Sequence, residues 1–194
     1  MVFVDGKYSF DLSSTPEIDG LNVATLAEAL SDVSRPIGKA TEAHLGALAV
    51  PADDDGFVSL NTAFFLDGAA VHLTGEAPEG HVIHLVFVST EAAEDSTISP
   101  RVLVVADRFS KGTIIESHVT ATGARYFNNP VVEIVVEEGA SLSHFRTTRE
   151  SDAAFHIGTT RVVQQKDSVF KSVSYAFGAA LGRNDAHVLI DAPG

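Results

Sequence analysis

The chain has 194 residues, 45% of them hydrophobic and 20% charged, which bounds it to one folded domain or a domain with a small appendage. Its 13 Lys and Arg against 26 Asp and Glu give a formal net charge of −13. Such a chain lacks the positive field that general phosphate-backbone binding needs, so no nucleic-acid partner is expected. With no cysteine, the chain excludes disulfides, thiolate catalysis and thiolate ligation of zinc or an iron–sulfur cluster, leaving its 8 histidines and its carboxylates as metal ligands.

The first residues, MVFVDGKYSF, contain Asp5 and no long apolar core, unlike a secretory signal. No apolar run is long enough to span a bilayer, so a cytoplasmic location and no membrane partner are expected. Val2–Val4, Asp5-Gly6 and Tyr8–Phe10 predict a short hairpin, because Asp-Gly supplies the positive-φ turn. Thr25-Leu-Ala-Glu28 is a capping box and predicts a helix through Leu30. Ser34-Arg35-Pro36 predicts a second helix, with Ala40, Ala43, Leu45 and Leu48 on its apolar side. Asp53-Asp54-Asp55-Gly56 is a polar break. Phe57 to Leu66 suits another helix, although so short an apolar run also fits a strand.

Beyond Gly68 the texture changes to strand-like runs rich in Val, Ile, Thr and Phe, parted by acidic and Gly-containing turns. They are Val82–Val88, Val102–Val105, Thr113–Thr120, Val131–Val136, Ser141–Thr147, Thr159–Gln164, Val169–Phe177 and Ala186–Ile190. Turn-then-strand pieces beginning at Thr113, Ser141 and Ser168 recur after 28 and then 27 residues. A fixed period of this length, with two strands in each, is the build of a parallel β-helix; a β-sandwich with chance spacing is the alternative. The division expected is a hairpin and short helices over 1–66, then a β-helix core over 67–194 that stops in mid-repeat.

Aligning these starts stacks Ile115, Ser117 and Val119 over Ser143, Phe145 and Thr147, and these over Phe170, Ser172 and Ser174. That small or apolar column is assigned to the interior. Glu116, His144 and Lys171, with His118 and Arg146 beside them, then form a sign-mixed outer column, and Glu133 and Arg161 pair one coil apart. Ile114, Leu142 and Val169 would also point outward, to be covered by an N-terminal helix or by a partner.

Nucleotide-binding glycine loops and the Gly-x-Ser-x-Gly elbow are absent, and no catalytic residue is assigned. His81 and His84 face opposite ways on a strand, so they cannot chelate together. Glu116 with His118, and Asp185 with His187, share faces, and His144 stacks beside Glu116. Glu116, His118 and His144 are therefore the candidate metal ligands, against the alternative of a solvated charged face. His72 and His156 lie among apolar residues and are expected to be structural. Polysaccharide chemistry, common on β-helices, finds neither a basic groove nor a tryptophan platform here.

Several segments resemble the SufD family of iron–sulfur cluster assembly proteins. They are Leu60-Asn-Thr-Ala-Phe-Phe-Leu-Asp-Gly68, Ile83-His-Leu-Val-Phe-Val-Ser-Thr90, Ser99-Pro-Arg-Val-Leu-Val-Val105, Thr113-Ile-Ile-Glu116, Tyr126-Phe-Asn-Asn129, Glu150-Ser151, Ala154-Phe-His-Ile157 and Gly182-Arg-Asn-Asp185, in the family's order. The sister protein SufB shares the core fold. The resemblance implies a mainly β chain with a right-handed parallel β-helix, the SufBD-like core, behind a small α/β segment. It further implies a non-catalytic scaffold subunit that joins SufB and the ATPase SufC. The implied partners are a SufB-like protein at the β-helix edge and a SufC-like ATPase docking on helices expected beyond Gly194. No cofactor is expected on this chain alone, the iron–sulfur cluster being assembled with partner subunits. The family's interface histidine matches no position here, so no ligand is carried over. An open edge at Ala186–Ile190 would recruit SufB or a second copy of the chain. A β-helix polysaccharide enzyme and a divalent-metal-binding module remain the alternative functions.

Overall fold

The computed structural model describes residues 1–50, 55–78 and 80–192. Asp53 and Asp54 of the expected polar break, and Pro193 and Gly194, lie outside the described residues.

The chain opens with β1 (Val2–Val4) and β2 (Lys7–Tyr8), the expected hairpin, with Phe3 opposite Tyr8 and Val4 opposite Lys7. Asp5 at φ 48° and Gly6 at φ 79° make its turn, both in the left-handed region that such a loop demands. After β3 (Leu21–Thr25) come three helices: α1 (Leu26–Ser31), α2 (Pro36–His44) and α3 (Gly56–Phe64). The capping box forms, with Thr25 Oγ1 accepting from the Glu28 backbone N–H at 3.0 Å. Pro36 sits in the first turn of α2, and α2 ends at His44, before Leu45 and Leu48.

From there the chain is strands: β4 (Gly68–Leu73), β5 (Ile83–Ser89), β6 (Thr97–Ile98), β7 (Arg101–Ala106), β8 (Lys111–Thr120), β9 (Phe127–Asn128), β10 (Val131–Val136), β11 (Ser141–Glu150), β12 (Phe155–Gln164), β13 (Val169–Gly178) and β14 (Leu181–Ile190). They wind alternately through two parallel sheets. One runs β5, β8, β11, β13, with β1 beside β5. The other runs β4, β7, β10, β12, β14, with β3 antiparallel to β4. The chain is thus mainly β, a parallel β-solenoid of about four turns behind a small α/β segment. At one corner β6 and β9 stack on the start of β12. Pro100 and Pro130 separate these short strands from β7 and β10, since proline cannot donate to a ladder. Gly158 takes the matching place in the next turn, and β12 runs through unbroken.

The register corrects the assignment of faces. Ser141 lies beside Lys111 and Val169, so the repeat between these strands is 30 and then 28 residues. Ser143 accordingly pairs with Thr113 and Lys171, not with Ile115 and Phe170. The interior is the other face: Ile114, Glu116, His118, Leu142, His144 and Arg146 are buried, whereas Ile115, Ser117, Val119, Ser143, Phe145 and Thr147 line the partly exposed outside. Lys171 is also on the outside, its Nζ over the Phe145 ring, and Val169 is exposed. The expected outer ladder of Ile114, Leu142 and Val169 therefore does not exist: Ile114 and Leu142 are interior, and Val169 alone is exposed.

Inside the solenoid, Leu85, Phe87, Ile114 and Leu142 of one sheet meet Val71, Val102, Val104, Val132, Ile134 and Val162 of the other. The helices cover the outer face of the second sheet instead. Leu26, Ala29 and Ile37 pack on Ala70, Leu103, Val105, Val135 and Val163. That is why these strands are apolar on both faces, as parallel strands covered on both sides are.

Candidate functional site

The alternation that carries Ile114 and Leu142 inward also carries in the polar residues that follow them along β8 and β11. Glu116, His118, His144, Arg146, Thr148 and Glu150 enter from one sheet, and Asn128 and His156 from the corner opposite, all buried. Phe87, one turn below, stacks on His118 with centroids 4.9 Å apart and planes 12° apart, so the polar cluster rests on an apolar floor.

Glu116 is the first centre. Its Oε1 lies 2.7 Å from His118 Nε2 and 3.1 Å from Arg146 Nε, and its Oε2 lies 3.1 Å from His144 Nε2. Burial alone would raise this carboxyl; the Arg146 guanidinium, with hydrogen bonds from both histidines, overcomes it and holds Glu116 well below the usual carboxylate range. Burial lowers the His118 imidazole, against the pull of Glu116, so His118 stays neutral.

Glu150 is the second centre. Its Oε2 lies 2.7 Å from His156 Nδ1, and its Oε1 accepts from Asn128 Nδ2 at 2.8 Å and Tyr126 Oη at 3.1 Å. Burial pushes the Tyr126 hydroxyl up to about 12, which keeps it a donor. Burial would raise Glu150 as well, but the hydrogen bond and charge of His156 lower it. Asn128 joins the centres, its Nδ2 lying 3.1 Å from His118 Nδ1.

A separate buried pair fastens the helical segment to the solenoid. Arg101 Nη2 meets Glu133 Oε1 at 2.6 Å, and the same carboxylate accepts the backbone N–H groups of Gly46, Leu48 and Ala49, each at 2.9 Å. Asn61 of α3 donates to the Pro100 and Asn129 carbonyls at 2.9 and 2.8 Å and accepts from Arg101 Nη1 at 3.0 Å. Gly68 is required by proximity, because a Cβ there would fall 1.7 Å from the Arg101 carbonyl oxygen.

The structure thus brings Glu116, His118 and His144 together, but inside the solenoid and not on its surface. The expected Glu133–Arg161 ion pair is not made, although the two residues are in register: Glu133 binds Arg101 and Arg161 binds Asp55. Asp185 pairs with Arg183 on the outside. His72 pairs with the Asp107 carboxylate at 2.9 Å. Sequence reasoning missed Glu150 and treated His156 as merely structural, whereas these two complete a His118–Glu150–His156 group. The signal was the segment order Tyr126-Phe-Asn-Asn129, Glu150-Ser151 and Ala154-Phe-His-Ile157, which supplies four of the buried polar groups.

No helix among the described residues is long and apolar enough to cross a membrane. The family model of the SUF system FeS cluster assembly SufBD core domain matches residues 87–194. An iron–sulfur cluster assembly SufBD family protein of Synechocystis sp. is 29% identical over 200 residues, covering 95% of this chain and 42% of that protein. The chloroplastic protein ABCI7 of Arabidopsis thaliana is 33% identical over 121 residues, covering 57% of this chain and 26% of that protein. The chain therefore spans less than half the length of these curated relatives. With more than half of the chain under the family model, and a β-solenoid built as described, the chain belongs to the SufBD core domain family of iron–sulfur cluster assembly proteins.

Proposed function

We propose that this chain is a non-catalytic scaffold subunit of a SufB–SufC–SufD machinery, of the SufD kind, working in the cytoplasm. Family membership supports the cluster-assembly role. The absence of cysteine from these 194 residues is in keeping with that role, since a thiolate-held cluster must draw its thiolates from outside them. The observation that carries the scaffold reading is the match of more than half of the chain to the SufBD core domain, folded as a parallel β-solenoid. A SufB-like β-solenoid is the partner proposed for it, with a SufC-like ATPase bound elsewhere in the whole protein.

The test is co-purification with the cognate SufB-like and SufC-like proteins, with complex mass read by light scattering. A stable complex with the SufB-like protein is the expected result. A chain that stays monomeric, or pairs only with itself, in the presence of both proteins would overturn the scaffold reading.

A further inference from the structure

The His118 and His156 rings sit edge to face with centroids 5.1 Å apart, and one ligand atom from each of His118, Glu150 and His156 lies within 4.8 Å of the others. All three side chains are buried. Hydrogen bonding settles the state of His118. Asn128 Nδ2 donates to Glu150 Oε1 at 2.8 Å, which orients the amide, and its other hydrogen faces His118 Nδ1 at 3.1 Å. His118 Nδ1 is therefore the acceptor nitrogen, its lone pair facing the Asn128 amide hydrogen that an incoming ion would displace, and its proton is on Nε2, held by Glu116 at 2.7 Å. A histidine whose far N–H is held by a carboxylate is the usual form of an imidazole poised for a metal.

His156 gives the second observation. Its Nε2 is buried without a hydrogen-bond partner while its Nδ1 faces Glu150. The ring can move its proton to Nε2 and free Nδ1 as a ligand. Asn128 Oδ1 is also buried and unpartnered beside the same group.

Charge gives the third. The network holds two carboxylates, Glu116 and Glu150, and Arg146 is the guanidinium that meets Glu116. Among the described residues Glu150 meets Asn128, Tyr126 and His156 but no Lys or Arg, so its buried carboxylate has room for a cation beside it.

We propose that His118, Glu150 and His156 form a binding site for one divalent first-row transition-metal ion. Two imidazoles and one carboxylate on one side of the ion suit iron(II) or zinc. Glu116 then acts as the group that orients His118, and Asn128 and Tyr126 orient Glu150. A cavity of about 100 Å³ lined by His144, Arg146, Ser172 and Asn184 borders the Glu116 side of the network, not the three ligands.

The site is tested by anaerobic titration of the chain with iron(II) and, in parallel, with cobalt(II), whose visible absorption reports its ligand set. One equivalent per chain is expected. Glu150→Gln and His156→Gln should abolish stoichiometric binding, and Glu116→Gln, which acts through His118, should weaken it by about 10- to 100-fold. His144→Gln should leave the stoichiometry unchanged, because the His144 ring bonds to Glu116 and to none of the three ligands. Loss in His144→Gln with retention in His156→Gln would overturn the assignment and move the ion to Glu116. Should a variant fail to fold, X-ray absorption on the iron-loaded wild-type chain decides: two imidazole ligands are expected, and fewer would overturn the proposal, as would a wild-type chain that binds no equivalent.

Discussion

Arg101 shows what a buried charge does in this protein. Its guanidinium is sealed between α3 and β10, with Glu133 fully buried against it and three backbone N–H groups filling the rest of that carboxylate. Replacing the pair by apolar groups could be nearly neutral, but removing one partner leaves a lone charge. Arg101→Met is therefore expected to cost about 3–5 kcal/mol in denaturant unfolding. A loss below about 1 kcal/mol, the range of exposed pairs, would mean that water reaches Glu133. The interior carboxylates and His118 make a pH prediction of fixed sign. His118 is lowered from 6.5 in the folded protein, so below that value the unfolded chain takes the proton first. Glu116 and Glu150 are lowered from 4.5, so their stabilisation is present above that value and is lost as pH falls through their folded values. Stability of the metal-free chain should therefore fall in two stages on acidification, the first beginning near 6.5, and His118→Asn should shrink the first stage in a series of urea melts, leaving the part that belongs to His84, which is lowered as well. A stability that rises between neutral pH and the unfolded carboxylate range would contradict this account.

At the scale of the elements, most strands and all three helices were legible in the sequence, but the faces of the strands were not. Strand positions follow from β-branched runs and turn residues, both local signals. The direction of a side chain depends on which polarity the interior has, and local patterning assumes an apolar one. Here Glu116, His118, His144 and Arg146 face in and Ile115 and Phe145 face out, so the polarity rule gave the inverse answer for this sheet. A slip of one residue at Ser168 then misplaced the third strand, since a single-residue shift exchanges the faces. The candidate site suffered the same way: Glu116, His118 and His144 were found as neighbours, but Glu150 and His156 approach across a corner that no strand period describes. That corner also explains Gly158. A Cβ there would lie 2.9 Å from Asn184 Oδ1 and 3.0 Å from His156 Nε2, where polar side chains already occupy the space. Gly158→Ala is expected to cost about 1–3 kcal/mol by overpacking and to displace His156, which the metal titration would register as weakened binding. On the opposite face of the same sheet, Ile37 of α2 is buried against Leu103 and Val105, and Ile37→Ala should cost about 2–5 kcal/mol while leaving the solenoid strands intact by circular dichroism.

For the molecule as a whole, each turn of a solenoid is held by its neighbours, so stability is close to a sum of turn and interface contributions. The inner turns, β7 with β8 and β10 with β11, have partners on both sides and bury both the apolar core and the polar cluster. Among the described residues the turn of β13 and β14 has one neighbour, and it carries largely exposed side chains. Amide exchange should therefore be slowest in β7, β8, β10 and β11 and distinctly faster in β13 and β14, because local opening of an end turn releases few buried contacts. The same profile tests the proposed pairing. With the SufB-like protein present, the amides that it covers should exchange more slowly, either on the bare outer face of the β5–β8–β11–β13 sheet or on α1 and α2, which cover the other sheet. A profile unchanged in every strand and helix would contradict the pairing, because an interface that excludes water must slow the amides beneath it.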